Sequence, residues 1–101
     1  MTSGSDTITA AAITNDDDGA AGNEQFGLGI TTAGDCTINA DYNATSPAEY
    51  KFVASTTTTL CSETVPTASE VISAYYLANI GSETESGSYS TDITYIMTAT
   101  F

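Results

Sequence analysis

The chain has 101 residues and a formal charge of −12, from 13 acidic side chains against a single lysine. Such a surface repels nucleic-acid phosphates and anionic lipid headgroups, which excludes nucleic acid as a partner. With no histidine and Lys51 as the sole cation, the usual nucleophile–base constellations cannot be assembled, so a non-enzymatic structural or binding role is expected.

The length suits one domain, residues 1–101, with a core small enough to benefit from a staple. Cys36 and Cys61 are an even pair, read as one disulfide closing a loop of about 25 residues and adding roughly 3 kcal/mol by the chain-entropy estimate. Two buried free thiols are the alternative, and would fit a reducing compartment. No apolar stretch reaches the length of a membrane span, and "MTSGSDTITA" lacks the charged start and apolar middle of a signal peptide. Membrane insertion is not expected. The acidic, Thr/Ser-rich composition points instead to an extracellular or cell-surface chain, read here as a mature form or a piece of one.

Along the chain, "DTITAAAIT" places Ile8, Ala10 and Ala12 on one face of a strand with a small-residue inner side. "NDDDGAAGN" then turns the chain. Asp16, Asp18 and Glu24 in and after this turn could hold a structural Ca²⁺, but the offsets of an EF-hand loop are not kept, and a solvated turn is the plainer reading. No other cofactor is expected. "EQFGLGIT" sets Phe26, Leu28 and Ile30 on one side and Gly27 and Gly29 on the other, so a neighbouring backbone or ring can approach the bare face closely.

"CTINADY" predicts a strand with Cys36, Ile38, Ala40 and Tyr42 inward, and "EYKFVAS" one that buries Tyr50, Phe52 and Ala54. Lys51 then faces outward, paired to Glu49 or another acid, with an isopeptide crosslink to an asparagine as the sharper alternative. The "NAT" triplet between these strands makes Asn43 a glycosylation acceptor pattern in a loop. After a Thr-rich stretch with a short edge strand near Leu60, "EVISAYYLANI" is apolar on both faces and predicts a central strand covered on two sides; helical spacing is also satisfied there. "GSETESG" joins it in a hairpin to "GSYSTDITYIMTATF", whose Tyr89, Ile93, Tyr95, Met97 and Phe101 form the expected core of a terminal strand. Tyr75, Tyr76, Tyr89 and Tyr95 are read as core, with a sugar-binding face as the alternative. About seven short strands and no firm helix signal predict an all-β, antiparallel, immunoglobulin-like β-sandwich.

The segments "YYLANI", "GSYSTDITYIMTATF" and "DDDGAAGNEQFGLGITTAG" resemble the middle and C-terminal parts of bacterial surface and secreted proteins with immunoglobulin-like sandwiches. A weaker likeness runs to chaperone–usher pilus subunits, which end on a similar strand and whose N-terminal strand completes a neighbour. The first resemblance implies a surface location and no catalysis. It also implies further N-terminal strands than "MTSGSDTITAAAIT" supplies here, so the sandwich is expected to be short of a strand. The resulting expectation is a structural subunit of an extracellular filament, pilus or surface layer whose partners are other copies of itself. Residues 1–14, with Ile8, Ala10 and Ala12 as the inserted row, would be the donor strand. A monomeric adhesin domain presenting loops or tyrosines to a glycan or host protein is the alternative.

Overall fold

The computed structural model describes residues 1–4, 6–10, 22–45, 47–66 and 69–99. Among them the chain is all-β, without an α-helix: strands β1 (Thr2–Ser3), β2 (Asp6–Thr7), β3 (Thr9–Ala10), β4 (Gln25–Thr32), β5 (Thr37–Ile38), β6 (Cys61–Ser62) and β7 (Ile72–Asn79), and a single 3₁₀ turn at Ala40–Tyr42. They form three small sheets, β1-β2, β3-β4-β7 and β5-β6; every strand pair is antiparallel except β3 with β4.

The central sheet is organised by β4 and β7, which pair over eight residues from Gln25↔Asn79 to Thr32↔Ile72. Side-chain size explains this register. Gly27 and Gly29 lie opposite Leu77 and Tyr75, while Phe26 and Ile30 lie opposite Ala78 and Ala74, so large groups of one strand mostly meet small groups of the other. A one-residue slip one way would set Phe26 beside Leu77 and Leu28 beside Tyr75, and the other way Leu28 beside Leu77 and Ile30 beside Tyr75. The hairpin expected between "EVISAYYLANI" and the last run is therefore replaced by a long-range pairing with "EQFGLGIT".

β4 is buried throughout its centre, and Phe26, Leu28, Ile30, Ile8 and Tyr42 make up the buried apolar core among the described residues. Its second edge is covered by three successive segments. β3 pairs with Gln25 and Phe26; Lys51 exchanges two backbone hydrogen bonds of 3.0 Å with Leu28; Ala44 N–H donates to the Ile30 carbonyl at 2.9 Å. The expected close approach over the glycines is present at Gly29, where an added Cβ would lie 2.8 Å from the Glu49 carbonyl oxygen and 3.0 Å from the Tyr50 ring. Phe52 packs edge-on against Phe26 at 5.2 Å.

"EYKFVAS" makes only the Leu28↔Lys51 bridge and no regular strand, and its expected inward row is split. Tyr50 lies against Gly29, Phe52 against Phe26, and Ala54 is exposed. "CTINADY" likewise bends after Ile38 into the 3₁₀ turn, where the Asn39 side chain accepts from Asp41 N–H. Tyr42 is buried as expected, and Ala40 is exposed.

Cys36 and Cys61 are joined in a disulfide beside the β5-β6 pair, with Cα atoms 5.8 Å apart. The Glu70 carboxylate braces the same region: it accepts from the Thr32 hydroxyl and, at 3.0 Å, from Cys36 N–H. Those bonds, with one from Glu63, hold its carboxyl below the usual range, the Thr32 contact first among them. Lys51 pairs with Asp41 at 2.6 Å, and this hydrogen bond raises its pKa. The acid that pairs with Lys51, expected to be Glu49 or another, is thus Asp41, ten residues away.

Candidate assembly surface

The N-terminal segment is docked on its own chain. β1 and β2 form a small hairpin opened by Gly4 at φ +60°, Met1 and Ile8 exchange hydrogen bonds of 3.0 and 2.8 Å, and Ile8 is 4% exposed. β3 follows and pairs with β4 through Thr9↔Gln25 and Ala10↔Phe26. Two of the three residues read as a donor row thus sit within the copy that carries them; Ala12 lies outside the described residues.

At the other end the expected terminal core is not formed. Ser90 is tied to Thr2 by two backbone hydrogen bonds of 3.0 Å, but residues 91–99 join no strand ladder among the described residues. Tyr89 and Ile93 are half-buried, Tyr95 is 54% exposed, Ile96 73% and Met97 91%; Phe101 lies outside the described residues. Burial of this stripe would need a covering layer where Tyr95 and Met97 stand in solvent. An open cleft of about 1430 Å³ is lined by Leu28, Ile30, Phe52 and Ile72 together with Ile93 and Tyr95 of this segment.

β7 is the open edge of the central sheet. Its apolar pattern predicts cover on two faces, yet Ile72, Tyr75 and Tyr76 are all about half exposed and it pairs with β4 alone among the described residues. Tyr76 stacks on Phe26 of β4 with ring centroids 6.3 Å apart. The tyrosines read as core are thus largely at the surface. Tyr76 and Tyr95 join hydroxyl to hydroxyl at 2.5 Å, and burial, followed by this hydrogen bond, pushes the Tyr95 pKa up to about 12. Tyr89, whose hydroxyl donates to the Glu85 carbonyl at 3.0 Å, is raised by burial and then by the charges of Asp6, Glu24 and Glu85.

The remaining sequence candidates fall apart from this surface. Asp16 and Asp18 lie outside the described residues, so the Ca²⁺ reading has only Glu24, half-buried just before β4, within them. Asn43 is half-buried, with its side-chain oxygen accepting from Thr45 N–H at 3.0 Å and from the Thr45 hydroxyl at 2.6 Å. Among the described residues no helix is long and apolar enough to cross a membrane. The chain matches no protein-family model, no curated protein and no solved structure at a significant level.

Proposed function

We propose that the protein is a non-catalytic structural subunit of an extracellular filament, pilus or surface layer, assembled by addition of β-strands between copies. The observation that carries this reading is the open edge of β7 together with the exposed apolar residues Tyr95, Ile96 and Met97. An unpaired strand edge is a template for another strand, and an exposed row of large apolar groups on a chain otherwise rich in acids and hydroxyls marks an interface. An immunoglobulin-like sandwich would result if the added strand completed a second layer over the cleft. The disulfide fits an oxidising, extracellular setting. Negative-stain microscopy and sedimentation of the full chain over a wide concentration range test this reading. Fibres or a ladder of oligomers are expected, and a monomer at every concentration defeats it.

A second reading, a monomeric adhesin module, is favoured by the exposure of Tyr75, Tyr76 and Tyr95, whose rings could stack on sugar rings. It requires a monomer that binds immobilised glycan and loses binding on Tyr75→Ala.

A further inference from the structure

The hydrogen bonds of Leu28 fix which backbone groups of β7 face outward. Leu28 directs both its N–H and its C=O to Lys51, away from β7, so Leu28↔Tyr76 is a pair of the non-hydrogen-bonded kind. Tyr76 therefore points its own N–H and C=O away from β4, and by the two-residue repeat so do Ala74 and Ala78. Among the described residues no backbone hydrogen bond reaches these groups.

Charge limits what can approach them. Copies of a chain at −12 repel one another over most of their surface, but residues 71–82, which contain β7, form the longest uncharged stretch in the sequence, and residues 93–101 are uncharged too. The latter stretch has the alternation of a strand, exposes Ile96 and Met97, and joins no ladder among the described residues. Each segment offers what the other lacks, and neither brings a like charge to the contact.

Resting on the assembly reading above, we propose that the contact between copies is the outer edge of β7, and that it accepts residues 93–99 of a second copy as an added strand, with Ala74, Tyr76 and Ala78 donating and accepting along it. The N-terminal segment then stays docked in its own chain.

Sedimentation velocity of the full chain, repeated from low to high salt, is the test. Association should tighten as salt rises, because the Debye length falls from roughly 30 Å at 0.01 M to about 3 Å at 1 M while the apolar contact persists. Ala74→Pro removes an outward N–H and leaves the β4–β7 ladder in place, as edge positions tolerate. It should weaken association at least about tenfold. Met97→Glu should do the same, and since Met97 is 91% exposed that variant decides the matter should Ala74→Pro fail to fold. Ser86→Glu, an equal charge at an exposed loop position, should leave association within about twofold. Oligomers that persist in both β7-edge and residue 93–99 variants would overturn this contact and leave the assembly reading standing with another donor. A monomer at all salt concentrations would overturn both.

Discussion

β4 and β7 have the same length, lie side by side in register and are both rich in apolar residues, yet β4 is closed in on every side while β7 stands open. Composition does not explain the difference: β7, with Ile72, Tyr75, Tyr76 and Leu77, is the bulkier of the two. The cause is what reaches each strand. Gly27 and Gly29 thin β4 on one face, which lets the Glu49 backbone and Tyr50 come within van der Waals reach of Gly29, and β3, Lys51 and Ala44 take up the hydrogen bonds of its second edge. β7 has no glycine, and among the described residues no second segment takes up the hydrogen bonds of its outer edge. A strand in this molecule is buried by leaving room for others.

The comparison breaks most readily at Ile30, fully buried in β4, against Ile72, the half-exposed isoleucine of β7. Ile30→Ala should cost about 2–5 kcal/mol, the range for emptying a packed site. Ile72→Ala removes surface that water already reaches and should cost under about 1 kcal/mol. Urea unfolding of the two variants reads the difference directly, and equal losses would mean that β7 is covered in solution.

A smaller effect sharpens the role of Gly29. Adding one methyl there brings it 2.8 Å from the Glu49 carbonyl oxygen, a backbone atom that cannot swing away. Gly29→Ala should therefore lower stability by about 1–3 kcal/mol in the same assay. Chemical shifts of Glu49 and Tyr50 should move with it, since those residues must give way.

Much of this was legible in the residues. The alternation of Phe26, Leu28 and Ile30 against two glycines marks both the strand and its closely approached face, and the cysteine count points to the bridge that forms. The length and type of β7 were also readable. Its partner and its burial were not, because a two-residue apolar period is the same whether or not another layer lies on it. That ambiguity placed Tyr95 and Met97 in a core, and read Tyr75 and Tyr76 as buried, where all four are exposed. It also made Ile8 a candidate for insertion into a neighbour, where its own chain supplies the site. Glu70 carries no local signal at all: its partners Cys36 and Thr32 lie 34 and 38 residues away, and only the β4–β7 pairing brings them together.

The tyrosine pair tests how far β7 differs from a fully solvated edge. Burial and the Tyr76 hydroxyl hold Tyr95 at a pKa of about 12, above the value near 10 of a free tyrosine. The folded state thus keeps a proton that the unfolded chain releases first, and its contribution to stability, complete below pH 10, is lost as pH rises from 10 through 12. Tyr76→Phe removes both the hydrogen bond and the charge of Tyr76 and leaves burial, so tyrosinate absorbance should show Tyr95 titrating lower but still above 10. An unchanged titration would mean that the hydroxyl contact is absent in solution.

The finest test lies where the two strands are tied together, at Glu70, which precedes β7 and bonds Thr32 at the end of β4. Its carboxyl titrates below the usual range, first through the Thr32 hydroxyl, so its contribution is present above the unfolded value of about 4.3 and is lost as pH falls through the folded one. Acidification also discharges the other carboxylates of a chain at −12, which relieves repulsion and stabilises the fold, so the melting temperature alone can move in either direction. The difference between the native chain and Glu70→Gln separates the two effects, because the general relief of repulsion is nearly common to both proteins. That difference should favour the native chain at neutral pH and shrink steadily below about pH 4.3. A gap that stays constant with pH would mean that Glu70 acts by shape alone and that its charge does not help to hold the end of β4 to the start of β7.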